Sequence, residues 1–184
     1  MWAVEYLLEH TMLPSEFDDD FKVFPYRCDF TDGRTNNGGI DLTREPHRIS
    51  EITEAKDFPE LTKFIIDINA PESPFITLGC EAGEDDGVFA GYVEFSFKSE
   101  RVANDIDFIS SLDEKFYQWS SRQNPEMAMA IRSSLAWEYS TFLYHGTSAR
   151  SKVGVFFRAA HQQGAGQLIN HIRHYLLNVC SSPL

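Results

Sequence analysis

Asp86-Gly87 stands between two apolar runs, and this short pattern limits what the chain can fold into more than any other. From Val88 to Lys98, Phe89, Gly91, Val93, Phe95 and Phe97 fall on one side, and Tyr92, Glu94, Ser96 and Lys98 fall on the other. That is the period-two alternation of a strand with one buried and one partly wet face. Phe75 to Ala82 forms the matching arm, and an Asp-Gly pair supplies the positive φ angles of a tight turn. An antiparallel hairpin is expected here.

The other elements follow from period and punctuation. Trp2, Val4, Tyr6 and Leu8 alternate and suggest a strand, and a second strand is expected over roughly residues 21–30. Asp57-Phe58-Pro59 opens a helix to about Asn69, with Leu61, Phe64, Ile65 and Ile68 on one face. Asn104 is placed to cap a helix from Asp105 whose stripe runs Phe108, Ile109, Leu112, Phe116, Trp119 and which stops near Asn124-Pro125. Residues 125–134 read either way, because Ala and Met favour a helix while Met127, Met129 and Ile131 alternate. Trp137 to Tyr144 and Lys152 to Ala159 read as strands joined around His145-Gly146, and a last helix is expected from about Gly164 to Val179. No repeat or interdomain linker is visible. The expected fold is a single α+β domain over residues 1–184, with a mostly antiparallel, hairpin-connected sheet packed by roughly three amphipathic helices.

A chain of 184 residues has the length of one domain, or at most two small ones, and needs no covalent staple. Its 14% aromatic content excludes a disordered acidic tail. No apolar run approaches the ~18–20 residues that span a bilayer, and Met1 to Glu5 lacks the basic start of a secretory signal. Cys28, Cys80 and Cys180 are an odd, widely spaced set without a Cys-x-x-Cys pair, which points to free buried thiols in a reducing cytoplasm.

Charge carries the functional argument. Residues 1–60 hold 14 acids and 6 bases, residues 61–120 hold 12 acids and 4 bases, and residues 121–184 reverse the sign with 2 acids and 6 bases. A net charge of −12 disfavours binding of a polyanionic nucleic acid and favours a basic partner. Two clusters stand out: Asp18-Asp19-Asp20, and Glu84-Asp85-Asp86 at the hairpin turn, with Glu81 and Glu94 nearby. Neither has the alternating acids of a calcium loop. Both suit exposed turns that present carboxylates to Lys or Arg of a partner.

Catalytic constellations are scarce. His171 and His174 lie three apart on the last helix with His161 as the nearest third ligand, a spacing that specifies no zinc site. There is no Gly-x-Ser-x-Gly elbow. No metal and no cofactor is expected. The aromatics Tyr139, Phe142, Tyr144, Phe156 and Phe157 near the basic third invite a stacking platform, but strand alternation turns most such rings inward.

One segment is more suggestive. Lys152 to Phe157 reads as a strand, and His161-Gln162-Gln163-Gly164-Ala165-Gly166 opens a helix, where free amides can hold phosphate. It resembles the loop with which the N-acetyltransferase superfamily cradles the pyrophosphate of acetyl-CoA, with His161 at the position that family fills with Arg or Gln. About fifty residues, including a helix, intervene where that family's strands follow directly. The resemblance implies an acyl-transferring enzyme that uses the 161–166 loop.

The expected function is therefore an acidic, non-enzymatic cytoplasmic binding protein. Its concrete form is a stoichiometric inhibitor of the bacterial immunity or antitoxin type, covering the basic cleft of a toxin such as a nuclease. Asp18, Asp19, Asp20, Glu81, Glu84, Asp85, Asp86 and Glu94 would contact the partner, and aromatic anchors would lie at the centre of the patch. Neither direct nucleic-acid nor membrane contact is expected. Acyl transfer at the 161–166 loop is the alternative.

Overall fold

The computed structural model describes residues 12–14, 21–27 and 38–180. The expected hairpin is present as β3 (Phe75–Asp85) and β4 (Val88–Phe97). Its two-residue turn has φ of 48° at Asp86 and 76° at Gly87. Both signs match the right-handed twist of the flanking strands, which is why Asp-Gly closes this turn so compactly.

β5 (Leu135–Tyr144) and β6 (Ser148–Ala159) form a second hairpin, closed by His145, Gly146 and Thr147. The six-stranded sheet runs β1-β5-β6-β4-β3, with β1 (Leu13–Pro14) and β2 (Val23–Phe24) both pairing with β5. β3, β4, β5 and β6 are antiparallel to their neighbours, whereas the two short strands run parallel to β5. The sheet is thus mixed, and the hairpins account for its long strands only. The expected strand at residues 2–8 lies outside the described residues, and of the one expected over 21–30 the described part, residues 21–27, is strand only at Val23–Phe24.

Helices cover one face. α1 (Pro59–Asn69) begins at a proline and buries Leu61, Phe64, Ile65 and Ile68. α6 (Gln162–Tyr175) buries Leu168, Ile169, Ile172 and Tyr175 and continues into a π-helical turn over Leu176–Cys180. Between the hairpins lie α2 (Glu100–Ala103), α3 (Ile106–Ile109), α4 (Leu112–Gln123) and α5 (Pro125–Arg132). The helix expected from Asp105 to Asn124 is broken after Ile109. Ser111 Oγ bonds the Phe108 carbonyl at 2.7 Å, a side-chain competitor to the next helical bond. Residues 125–132 prove helical, because Asn124 Oδ1 accepts from the amides of Glu126 and Met127 while Pro125 starts the turn. Met129 is 76% exposed there, so the alternation of methionines marks no strand.

Val93, Phe95, Val153, Val155, Phe157, Leu135 and Trp137 face these helices and form the main core with Phe64, Phe116 and Ile169. A smaller cluster of Phe24, Tyr26, Ile76, Leu78 and Phe142 closes the opposite face. That second layer overturns the expectation of a partly wet face in mid-strand: Glu94 is 6% exposed and Ser96 0%. The covering side chains come from residues far away in sequence, so no local periodicity announces them.

Candidate functional site

Register fixes what each strand contributes to the open end of the sheet. Glu81 pairs with Tyr92 across β3 and β4, and Tyr92 pairs with Phe156 across β4 and β6. Residues directly opposite on a sheet face lie within side-chain reach. The Tyr92 and Phe156 rings have centroids 5.7 Å apart and are tilted by 37°. Phe156 is 39% exposed, a large fraction for a phenylalanine in a sheet interior. Burial, then the Glu94 and Glu81 carboxylates, push the Tyr92 phenol above its ordinary range. It stays a neutral donor at physiological pH.

Beyond this row the hairpin narrows to its tip. Glu81, Glu84, Asp85 and Asp86 are all exposed, as is Val88 beside the turn. None of the four acids makes an ion pair with a described residue. The tip therefore offers carboxylates without an ion-pair partner among the described residues, on the same hairpin as the half-buried Tyr92 and its exposed neighbour Phe156. β3 is also an edge strand, and charge on such an edge discourages unwanted strand pairing.

Not every residue read as a contact lies there. Glu94 faces inward: its Oε1 is 2.8 Å from Lys152 Nζ, and its Oε2 accepts from Tyr26 Oη at 2.8 Å. Lys152 also donates to Tyr26 Oη at 2.7 Å. Glu94 is thus engaged inside the protein and does not share the surface of the hairpin tip. Asp18, Asp19 and Asp20 lie outside the described residues. The polar triad Tyr26–Glu94–Lys152 was not legible as a unit, although Glu94 and Lys152 both occupy polar positions within apolar strands. Burial pulls Lys152 below the ordinary lysine value and outweighs the opposing pull of Glu94.

A second polar knot holds the β5–β6 turn. Asp41 is 4% exposed and accepts from Tyr144 Oη at 2.6 Å and Thr43 Oγ1 at 2.5 Å, with His145 Nε2 at 2.9 Å. Burial alone would push this carboxyl up, but the hydrogen bonds from Thr43, Tyr144 and His145 together hold it below its usual value. His145 itself has φ of 51°, an uncommon left-handed conformation for a side chain this size, and its amide donates to the Phe24 carbonyl at 2.7 Å. The knot ties residues 38–45 to the sheet.

The histidines of α6 serve packing. His171 and His174 flank Trp119, with ring centroids 4.6 and 5.7 Å from it, and His171 Nε2 is 2.8 Å from the buried Ser120 Oγ. His161 lies at the start of the same helix, where its Nδ1 accepts from the Gly164 amide at 3.1 Å. Among the described residues no three His, Cys, Asp or Glu side chains come together as metal ligands. Cys80 and Cys180 are free, and burial pushes each thiol up to about 12, well away from a reactive thiolate.

The Gly-rich start of α6 is likewise occupied by the chain. A Cβ on Gly166 would lie 2.9 Å from the Glu60 carboxyl carbon, and one on Gly164 would lie 3.1 Å from Ala159 Cβ. Small residues here let the helix pack close to α1 and β6. A carboxylate against Gly166 and a histidine cap on Gly164 occupy the place a pyrophosphate would need.

Fold and site together define a class: a mixed-sheet α+β domain with a charged hairpin tip and, behind it, the half-buried Tyr92 paired with the exposed Phe156. Known protein families, curated proteins and solved structures offer no match to this chain. Among the described residues, no helix is long and apolar enough to cross a membrane.

Proposed function

We propose that the protein is a stoichiometric binding protein of the immunity or antitoxin type, which captures a basic toxin domain such as a nuclease and blocks its cationic cleft. One observation carries this reading. Glu81, Glu84, Asp85 and Asp86 are exposed on one end of the hairpin and make no ion pair with a described residue, and Glu81 lies across from Tyr92, whose ring neighbours Phe156. Pre-exposed carboxylates steer a cationic partner and raise the association rate, and nearby rings supply the area that water must leave. A nuclease is basic where it meets phosphate, so the charges are complementary. Asp18, Asp19 and Asp20 belong to the same reading as further contacts. No observation among the described residues favours acyl transfer at the 161–166 loop.

The test uses purified protein as bait for basic nucleases of the source cell at low and at high salt. Captured nuclease is then assayed with and without added protein. One-to-one inhibition that weakens with salt, and that is lost in Glu84→Lys/Asp85→Lys/Asp86→Lys, supports the reading. Equal capture by that triple variant overturns it, as does a rise in melting temperature with acetyl-CoA in the absence of any inhibited nuclease.

A further inference from the structure

The rings of Tyr92 and Phe156 lie side by side across β4 and β6. Along that face Tyr92 stands between Ala90 and Glu94, Phe156 stands between Gly154 and Arg158, and Ala136 lies opposite Phe156 on β5. A Cβ on Gly154 would lie 3.3 Å from the Phe156 ring and 3.4 Å from Glu138 Cγ, so a glycine leaves that ring room to lie over the strand. The Phe156 ring is thus partly open to solvent, while Glu81 lies directly across from Tyr92. Arg158 is exposed on the same face beside Ala90, where the strand positions of Glu81 and Asp85 set two carboxylates against its one charge.

We infer that Tyr92, Phe156 and Glu81 form a receptor for the guanidinium group of one arginine on a basic protein partner. This rests on the reading of the chain as a binder of basic proteins and names the side chain it recognises. An arginine is singled out over a lysine for two reasons. Its planar, weakly hydrated cation stacks on aromatic faces, and its fork of N–H donors matches a carboxylate in two places at once. A lysine ammonium is a compact, strongly hydrated charge that gains from the acidic tip but little from the rings. The tip therefore supplies charge attraction common to both cations, and the ring pair supplies the discrimination.

Two peptides of equal charge separate these contributions: nona-arginine and nona-lysine, titrated into the full chain by calorimetry at low and at moderate salt. The wild-type protein is expected to prefer nona-arginine by about fivefold, the ratio that a cation–π contact of modest strength confers. Tyr92→Leu/Phe156→Leu should bind both peptides alike, and Glu81→Gln should reduce the preference without altering the melting temperature. If the double variant does not fold, Phe156→Leu alone carries the same expectation, because that ring is 39% exposed. Equal binding of the two peptides by wild type, or a preference that survives loss of the rings, overturns the inference. In that case peptide binding that is still abolished by Glu84→Gln/Asp85→Asn/Asp86→Asn leaves the basic-partner reading standing. Failure of wild type to bind either peptide at low salt overturns both.

Discussion

Lys152 Nζ lies 2.8 Å from Glu94 Oε1 in the interior of the protein, with side-chain exposures of 1% and 8%. The two residues come from β6 and β4, and Tyr26 Oη bridges them from a third segment. The pair thus fastens the segment at residues 21–27 to the middle of the sheet. A buried ion pair offsets its own desolvation only while both partners and their hydrogen bonds remain.

Removing one partner should be costly. Lys152→Met or Glu94→Leu alone is expected to lower unfolding stability by about 3–5 kcal/mol, read from urea midpoints. The triple change Lys152→Met/Glu94→Leu/Tyr26→Phe replaces these three polar groups with apolar ones and leaves only Glu138 without the Lys152 charge, so much of the loss should be recovered. A triple variant no more stable than the single ones would show that the network holds the layer in some other way.

Asp41 sets an acid limb. Its folded pKa is below the ordinary value, so it adds stability that is present above the unfolded value near ~4 and lost as pH falls through the folded one. Asp41→Asn should be less stable than wild type at neutral pH by about 1–3 kcal/mol, with a shallower decline between about pH 4.5 and 3. Parallel acid declines in the two proteins would contradict this.

His171 acts in a higher window. Burial, and secondarily His174, hold it below the ordinary histidine value. A base with a depressed folded pKa adds stability that is complete above the unfolded value near ~6.5 and lost as pH falls through the folded one. His171→Gln, which keeps a hydrogen-bond partner for Ser120 Oγ, should abolish the part of the decline that begins just below neutrality. Thermal melts at pH 7.5 and 5.5 provide the comparison.

Two glycines of the hairpin should behave differently. On Gly87 an added Cβ meets nothing within 4 Å, but φ is 76°, so Gly87→Ala should cost only the conformational penalty of about 1 kcal/mol. On Gly91 a Cβ would lie 2.1 Å from the Glu81 carbonyl oxygen and 2.8 Å from Ala82 Cα. Gly91→Ala must push β3 from β4 and should cost about 3 kcal/mol or more. Denaturant unfolding of the two variants should separate them clearly.

The hairpin tip should be dispensable for folding. Glu84, Asp85 and Asp86 are exposed and make no ion pair with a described residue. Glu84→Gln/Asp85→Asn/Asp86→Asn should therefore change stability by no more than about 0.5 kcal/mol. A large destabilisation would mean that the carboxylates serve the fold, not a partner.

Legibility followed distance along the chain. The arms Phe75–Asp85 and Val88–Phe97, their Asp-Gly turn, and helices Pro59–Asn69 and Gln162–Tyr175 all declare themselves within a dozen or so residues, because their signals are spacing, capping and turn chemistry. Where local signals conflicted, a single cap decided: Asn124 made residues 125–132 a helix, and the bond from Ser111 to the Phe108 carbonyl divided the preceding one. The acids of the candidate site could be named from composition, but Glu94 was placed among them because a wet strand face was expected around it.

Sequence alone was enough for the α+β class, the principal hairpin and the acidic turn, since each depends on neighbours close in the chain. Only the tertiary structure decided that Glu94 turns inward to Lys152, that two short strands run parallel to β5, and that Tyr92 meets Phe156. Those relationships join residues tens of positions apart, and no periodicity records which distant segment will cover a given face. The hydrophobic effect drives burial without direction; the register of the sheet chooses the partners.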